Sequence, residues 1–349
     1  NYFITGQNDV MYSSIVFPKI MTEEDYDKLN FTQQSPNFNK FEFISIDEAN
    51  KTVLFNTDCN IKESILIPKG YTVIAKPGIR INLLNHSRII SYSPLSIKGT
   101  KDSVITFLST DSTGQGFIVF NCNKESELTH VKFLNLSNIC DLGWDLRGAI
   151  TFYKSPVKIS YCEFDSNLRG DDYLNIISSK FYISHVIFNN TIADAFDTDF
   201  AEGLIETTKF VHSGNDAIDI SGTYLEVKGV DIINTDDKAI SVGEGSYFVG
   251  NNIRINFGEL AVVAKDKSTV EITNLTVQGS RLVYCAFQKK PEFGPGIIKI
   301  KNAKLQDVER KHLIEVGSTL IIDNKEVTDK STEVQEVLYG IEYGKASVR

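Results

Sequence analysis

The sequence predicts an all-β protein, a right-handed, single-stranded parallel β-helix solenoid with coils of about 22 residues. The first observation is a repeat of 22 residues through the middle of the chain. The second is local composition, because short runs rich in Ile, Val, Phe, Tyr and Thr alternate with Asn, Asp, Gly and Ser. Segments with a helical period are missing almost everywhere, and one short helix is expected near residues 22–29.

The repeat is clearest in pairs that consist of a small residue followed by an apolar one. These pairs begin 22 residues apart, at Ala195, Ala217, Ala239 and Ala261. Three further positions continue the series, with two extra residues between the first and the second: Ala149, Tyr173 and Val283. The fixed leucines and convex helix of a leucine-rich repeat are missing, so the repeat predicts stacked parallel strands in about seven coils.

A second column of polar residues follows the same period. Its members follow apolar pairs such as Ile187-Phe188 and Ile232-Ile233, and they are Asn190, His212, Asn234, Asn256 and Gln278. This spacing predicts a polar turn at the same corner of each coil, with a ladder of hydrogen bonds and no catalytic role. On this interpretation His212 is a turn residue.

The ends of the chain do not follow the repeat. Residues 1–45 are predicted to form an N-terminal cap or linker, residues 46–322 the parallel β-helix, and residues 323–349 a C-terminal cap or tail. Caps are expected because the end of a solenoid exposes core and strand edges. Residues 137–147, which contain the only tryptophan, Trp144, lengthen one coil and are expected to project from the solenoid.

Composition excludes several classes of protein. A net charge of −9 argues against a nucleic-acid partner, because binding to phosphates needs a basic surface. No apolar run approaches the roughly 20 residues of a membrane span, so no integral membrane segment is expected. Five cysteines without a CxxC spacing indicate buried free thiols rather than a zinc site. Because the chain begins with Asn1, we expect that a signal peptide or an upstream domain precedes it.

Residues 66–107 carry a resemblance to known proteins. The matching residues are Pro77-Gly78, Gly99-Thr100 and the segment 105–107, Ile-Thr-Phe. They resemble the first coils of many bacterial surface β-helix proteins, and the resemblance to the pectin-lyase-like superfamily spans roughly residues 60–310. It implies the fold, and a fold alone does not establish chemistry.

The best candidate site is an outward row of aspartates. Successive side chains of a strand point to opposite faces, so Asp197, Asp199 and Asp219 are predicted to point out of the solenoid. The period stacks Asp197 on Asp219, with Asn175 above and Ser241 below. Stacked carboxylates repel one another and need compensation. Either Ca²⁺, bound by these three aspartates, or a raised pKa on one of them would supply it.

Just before these strands, a second acidic column ends in a lysine. Its members are Asp172, Asp194, Asp216 and Lys238. Asp is common in turns because its side chain caps neighbouring backbone groups, so a structural role and a functional role both fit this column.

The superfamily resemblance implies two kinds of chemistry. Polygalacturonase-type hydrolases use clustered aspartates, and residues 234–237, Asn-Thr-Asp-Asp, resemble theirs, although their Gly-His-Gly and Arg-Ile-Lys elements are absent. Pectate-lyase-like members hold Ca²⁺ with acidic residues and remove a proton with a basic one. That resemblance implies Lys238 or Lys265 as the base and Arg169 or Arg254 as substrate-binding residues.

We therefore predict a carbohydrate-active protein, secreted or on the cell surface of a bacterial-type cell, that acts on an acidic polysaccharide as a lyase or a hydrolase. The predicted catalytic residues are Asp197, Asp219 and Lys238. Those predicted to bind substrate are Asp199, Asp216, Arg169 and Trp144, and a groove beside residues 137–147, lined by Trp144, Tyr173 or Tyr224, would suit sugar stacking. The alternative is a non-catalytic glycan-binding or structural module of a larger cell-surface protein.

Overall fold

The computed structural model describes residues 35–141, 144–340 and 342–343. The helix expected near residues 22–29 lies outside the described residues, as do the side chains of Asp141 and Trp144. The described chain is a right-handed parallel β-helix of about 12 turns with a spacing of about 22 residues, which confirms the predicted fold. None of the helices in these ranges has the length and apolarity needed to cross a membrane.

Each coil contributes to three parallel sheets, which we number in the order in which a coil visits them. The first sheet contains the strands Ile65–Ile67, Ile89–Ser91, Phe117–Phe120, Gly148–Tyr153, Asp172–Ile177, Asp194–Asp199, Ile218–Ser221, Leu282–Phe287 and Arg310–Ile314. The last residues of two long strands that turn corners complete it, Tyr224–Gly243 and Tyr247–Lys265.

The second sheet includes the strands Thr52–Phe55, Thr72–Ala75, Leu95–Lys98, Ser126–Thr129, Val157–Ser160, Lys180–Ser184, Glu202–Glu206 and Thr319–Ile322. The third sheet includes Cys59–Ile61, Arg80–Leu83, Ile105–Leu108, Val131–Leu134, Glu163–Asp165, Ile187–Thr191 and Lys209–Ser213. Strands that bend around corners serve both sheets, namely Tyr224–Gly243, Tyr247–Lys265, Thr269–Gln278 and Ile297–Gln306.

Inward side chains stack on their counterparts in neighbouring coils and form one continuous apolar core. In the third sheet, Phe133, Phe164, Phe188 and Phe210 stack with ring centroids 4.7 to 4.8 Å apart. This distance is the spacing between hydrogen-bonded strands, so each ring contacts the next without any shift of the backbone. The 22-residue period therefore brings like residues into contact.

Polar turn residues occupy the corner at the end of the third sheet. Asn190, His212 and Asn234 adopt left-handed backbone conformations, with φ between 51° and 56°. The Asn234 amide and the His212 ring form a hydrogen bond of 2.8 Å across neighbouring coils. These side chains are at least partly exposed, so the ladder lies on the surface of the corner.

Short segments cover the two ends of the solenoid. At the N-terminal end, a 3-10 helix, Phe38–Lys40, precedes the strand Ile44–Asp47, which pairs antiparallel with Thr52–Phe55. At the C-terminal end, Lys325–Glu326 pairs antiparallel with Thr319–Ile322. The helix Val334–Leu338 then packs on the outer face of the first sheet, over apolar residues that include Val263 and Cys285.

Candidate functional site

The predicted outward column is present on the first sheet. Asn175, Asp197, Asp219 and Ser241 lie on consecutive coils in direct register, while the neighbouring Phe196 and Ile218 are buried in the core. Asp197 and Asp219 are both partly exposed. On the next two coils the column continues as Val263 and Cys285, which the C-terminal helix covers. Within the column only Asp197 and Asp219 are therefore open to solvent, because Asn175 and Ser241 are buried.

The acidic column at the start of these strands is a buried hydrogen-bond ladder. The Asp194 carboxylate accepts the backbone N–H of Asp216 at 2.9 Å, and the Asp216 carboxylate accepts that of Lys238 at 3.0 Å. Both aspartates are almost completely buried. Each side chain satisfies a backbone donor on the following coil, which gives Asp194 and Asp216 a structural role.

Lys238 ends this ladder in a buried network of ion pairs. Its ammonium lies 3.3 Å from Asp216 Oδ1 and also contacts Asp237. Burial alone would lower the pKa of Lys238, but Asp216 and Asp237 outweigh it and raise that pKa. Burial raises the pKa of Asp216 to about 6, against the attraction of Lys238. The predicted base Lys238 is therefore a cation at neutral pH.

Asp197 lies next to Asp172 in the acidic part of the cluster. The Asn175 amide donates to Asp172 Oδ2 at 2.8 Å and to Asp197 Oδ2 at 3.0 Å, and so links the two carboxyl groups. Burial, followed by the charges of Asp172 and Asp219, raises the pKa of Asp197 well above its ordinary range. Burial and Asp219 also raise the pKa of Asp199.

Asp219 lies in the opposite electrostatic environment. Lys265 Nζ is 3.8 Å from Asp219 Oδ1 and donates a hydrogen bond of 3.1 Å to Ser241 Oγ. Burial would raise the pKa of Asp219, but the charges of Lys265 and then Lys238 outweigh it and lower that pKa. The pKa of Lys265 is raised, because Asp219 outweighs the effect of burial. The pKa values of two stacked aspartates, Asp197 and Asp219, are thus moved in opposite directions.

Among the residues that the structure describes, two groups of carboxylates could hold a metal ion, with their ligand oxygens within 4.8 Å of one another. One comprises Asp171, Asp172 and Asp194, and the other Asp194, Asp216 and Asp219. Of the predicted calcium ligands, Asp219 belongs to the second group, whereas Asp197 and Asp199 belong to neither. The second group already has two cations beside it, Lys238 and Lys265.

Each group contains one buried carboxylate oxygen without a hydrogen-bond partner among the described residues, Asp219 Oδ1 in the second group and Asp172 Oδ1 in the first. Lys265 already lies 3.8 Å from Asp219 Oδ1, so the first group fits calcium better, through Asp172 Oδ1. A hard cation coordinated by oxygen would satisfy this atom.

A cleft of about 550 Å³ lies between the insertion and the following coil. Its lining includes Arg147 from the insertion and Arg169 and Asp171 from the next turn. Arg147 forms an ion pair of 2.7 Å with Asp171, and Asp172 and Asp197 also raise the pKa of its guanidinium. The predicted substrate-binding residue Arg169 is thus on the cleft wall, next to the acidic cluster.

Other predicted binding residues lie elsewhere or cannot be placed. Tyr173 is buried in the core, and Tyr224 stacks on Tyr247 on the second sheet. Arg254 pairs with Asp231 on the third sheet. Trp144 belongs to a short strand of the insertion, Trp144–Asp145, and its side chain lies outside the described part of the chain.

The roles of two residues of the site were not predicted from the sequence. Arg147 is the last residue of the predicted insertion, and its place beside the acidic cluster was the available signal. Asn175 was placed in the column, but its bridging amide depends on side-chain geometry that no spacing reveals.

The coils have a parallel β-helix fold. No family model matches the chain, and no curated protein matches it. Among solved structures, a variant catalytic domain of a GH87 alpha-1,3-glucanase in complex with tetrasaccharides matches 82% of this chain at 8% identity and a TM-score of 0.45.

An alginate lyase from Paenibacillus sp. str. FPU-7 matches 69% of this chain at 11% identity and a TM-score of 0.37, over 92% of its own length. The catalytic unit of the GH87 alpha-1,3-glucanase from Streptomyces thermodiastaticus strain HF3-3 matches 82% at 12% identity and a TM-score of 0.34. This chain spans 65% and 66% of the two glucanase chains, just under two thirds of each. The chemistry of the site therefore rests on its own residues.

Proposed function

We propose that this protein hydrolyses glycosidic bonds in an acidic polysaccharide, with Asp197 as the proton donor and Asp219 as the ionised carboxylate. One observation carries the proposal. Asp197 and Asp219 are stacked on neighbouring coils of a partly exposed face, and their environments move their pKa values in opposite directions. A pair of carboxyl groups separated in this way can act as acid and base in one reaction.

The reaction needs both charge states at once. Asp197, whose pKa is raised, would donate its proton to the glycosidic oxygen as the bond breaks, while the Asp219 carboxylate attacks the sugar or activates water. Neighbouring coils lie about 4.8 Å apart. This spacing is close to the roughly 5 Å separation of carboxyl groups that favours a covalent intermediate and retention of configuration.

Hydrolysis fits the site better than elimination. A lyase needs a base that removes the proton beside the substrate carboxylate. The two lysines predicted for this role are held as cations, Lys238 by Asp216 and Asp237 and Lys265 by Asp219. Neither is available to accept a proton near neutral pH.

The arginines of the cleft support an anionic substrate. Arg147 and Arg169 line the same cleft beside the acidic cluster, and guanidinium groups bind carboxylates through paired hydrogen bonds. We propose that they bind uronate carboxylates, and that Trp144 and Asp199 contact neighbouring sugars. We place the protein outside the cell, secreted or on the surface, where such polysaccharides are exposed.

Calcium is a further part of the proposal. Asp171, Asp172 and Asp194 would hold the ion, which would neutralise part of the carboxylate charge beside the cleft. Calorimetric titration of calcium into the wild type and into Asp172→Asn tests this. Heat of binding that disappears in the variant supports the site, and equal heats in the two proteins would contradict it.

The test of hydrolysis compares matched substitutions. Wild type, Asp197→Asn and Asp219→Asn are incubated with a panel of neutral and uronate-containing polysaccharides, and new reducing ends and unsaturated products are measured separately. We expect reducing ends without unsaturated products, a preference for uronate substrates and a loss of about 10²- to 10⁴-fold in each variant. Asp231→Asn, on the third sheet and paired with Arg254, serves as the control and should retain full activity.

Two outcomes would overturn the proposal. Unsaturated products would indicate elimination. No product from any substrate, together with unchanged glycan binding in Asp197→Asn and Asp219→Asn, would favour a non-catalytic glycan-binding or structural module.

A further inference from the structure

Phe200 is an exposed aromatic residue at the edge of the first-sheet face that carries Asp197 and Asp219. It directly follows the strand Asp194–Asp199, at the corner where that strand ends. Phe200 is 69% exposed, the largest exposed fraction among the large apolar residues that the structure describes. Its backbone is left-handed, with a φ of 51°, a conformation that bulky residues seldom adopt. Core packing therefore does not account for a phenylalanine at this corner.

The ring of Phe200 lies over a glycine of the next coil. A Cβ atom at Gly222 would lie 2.6 Å from Phe200 Cδ1 and 2.9 Å from its Cε1, so the glycine leaves the space that the ring occupies. One side of the ring is held against the backbone in this way, and the other side is in water. An aromatic ring fixed from one side offers one apolar face to a ligand.

The edge of the first sheet is open at Phe200 and covered further along. The corresponding corner two coils later is at Glu244, which forms an ion pair with Lys290. Lys290 belongs to residues 288–296, a segment that follows the strand Leu282–Phe287 and reaches back across two coils to make this contact. The ring of Phe200 therefore lies on the part of the edge that this segment leaves free.

The proposed catalytic pair lies between this ring and the arginine cleft. Arg147 and Arg169 precede the starts of first-sheet strands, whereas Phe200 follows the end of one. Asp197 lies three residues before Phe200, which is about 10 Å along an extended strand. A sugar that stacks on the ring is therefore separate from the sugar at the catalytic pair.

We propose that Phe200 is a sugar-binding residue of this site, and that its free face stacks on a ring of the polysaccharide next to the one held at Asp197 and Asp219. The C–H groups on one face of a pyranose form an apolar surface, which an aromatic ring can cover while the hydroxyl groups remain in water. The inference rests on the proposed function, because it assigns the residue that binds the chain on the side opposite the arginine cleft. Phe200 contacts no reacting atom, so it contributes to binding alone.

The test measures affinity for short uronate chains. Oligogalacturonate and oligomannuronate are titrated calorimetrically into Asp197→Asn, as the parent in which the chains stay intact, and into the same protein with Phe200→Leu or Phe200→Tyr. We expect Phe200→Leu to weaken binding by about threefold to tenfold, because leucine retains apolar contact area but lacks the flat face of a ring. Phe200→Tyr, which retains that face, should bind like the parent.

Phe257→Leu is the matched control. Phe257 is also left-handed, with a φ of 58°, is 56% exposed and lies over a glycine of the next coil, Gly279, but it is at the corner that ends the third sheet. Its replacement should leave the affinity unchanged. Equal affinities in the parent and in Phe200→Leu, or an equal loss in Phe257→Leu, would overturn the proposal.

NMR of the bound chain measures the contact itself. Sugar protons that lie over an aromatic ring shift upfield, and we expect this shift with the parent and with Phe200→Tyr but not with Phe200→Leu. Unshifted protons in all three proteins would contradict stacking. Self-association of the parent that is lost in Phe200→Leu, at unchanged glycan affinity, would assign the ring to a protein interface and overturn the proposal.

Cleavage by proteins that retain Asp197 is measured separately, so the two proposals can fail independently. If the wild type releases no reducing ends but Phe200→Leu binds the chains less tightly, the reaction fails and the sugar-binding role of Phe200 stands. If the wild type is active, Phe200→Leu should raise KM with little change in kcat. An unchanged KM would remove Phe200 from the site and leave the reaction in place. A parent that binds neither chain would also overturn the inference.

Discussion

At the scale of single residues, aspartates on the first sheet have pKa values that are shifted in opposite directions. Asp172 is buried beside Asp171, and burial followed by this neighbouring charge raises its pKa to about 8. Asp219 lies within 4 Å of an ammonium group, and its pKa is lowered. The charges of Lys265 and Lys238 therefore give Asp219 a lowered pKa although it lies among several other aspartates.

The raised pKa of Asp172 makes stability depend on pH. A carboxyl group whose pKa is higher in the folded than in the unfolded state stabilises the fold fully below the unfolded value of about 3.9, and this contribution is lost as the pH rises towards 8. We expect the free energy of unfolding of the wild type to fall between pH 5 and pH 8. In Asp172→Asn this loss should be smaller by at least about 1.4 kcal/mol, the equivalent of one pKa unit.

Urea denaturation at the two pH values measures the difference. Asp231→Asn serves as the reference, because its partly buried carboxylate lies on another sheet beside Arg254. Parallel pH dependence in the wild type and in Asp172→Asn would show that Asp172 is ionised in the folded protein.

Much of the site followed from the alternation of side chains along a strand. The two-residue period placed Asp197 and Asp219 outward, and the 22-residue period stacked them. The direction in which a long side chain extends does not follow from either period. Lys265 reaches back two coils, and this could not be predicted without knowing that Gly243 leaves the space.

At the scale of the strand, the coils are held by contacts between equivalent residues. Phe188 is completely buried and stacks between Phe164 and Phe210, with both centroid distances at 4.8 Å. The sequence predicted two or three strands in each coil, and the structure contains three. Apolar runs showed where strands occur, but bends without a break, as in Tyr224–Gly243, conceal where one sheet ends and the next begins.

Loss of one ring from this stack should destabilise the solenoid. Phe188→Ala leaves a cavity between two neighbouring rings, and we expect it to cost about 3–5 kcal/mol. Ile192→Ala, on the surface four residues after Phe188 at 56% exposure, should change stability by less than about 1 kcal/mol. Urea denaturation followed by circular dichroism compares the two, and similar midpoints would contradict close packing at Phe188.

At the scale of the whole molecule, the C-terminal segment ends the open part of the first sheet. Beyond Ser241 the outward column becomes Val263 and Cys285, and the helix Val334–Leu338 packs over them. An acidic side chain in place of the buried Leu338 would disrupt this contact, since Leu338 belongs to the same apolar cluster as Val263 and Cys285. The segment therefore separates the polar face from the C-terminal end of the solenoid.

The reactivity of Cys285 shows whether the C-terminal helix remains packed over the first sheet. Cys285 is buried beneath the segment, and burial raises its thiol pKa, so it should react slowly with a maleimide in the wild type. Leu338→Asp should speed its modification by about tenfold or more, as local opening exposes it. Mass spectrometry of the labelled peptides measures both rates. Cys162, inside the coils, should remain protected in both proteins, and equal rates at Cys285 would show that the helix does not shield it.

The number of coils sets the length of the polar face of the first sheet. Five consecutive coils separate the insertion from the apolar patch under the C-terminal helix. Their first-sheet strands begin at Gly148, at Asp172, at Asp194, near Ile218 and near Lys238. Each coil adds about 4.8 Å. Gain or loss of one 22-residue unit would therefore lengthen or shorten this surface by a fixed step, without altering the packing of the coils that remain. A solenoid of this kind can acquire a new reach along an extended polymer by duplication of its own sequence.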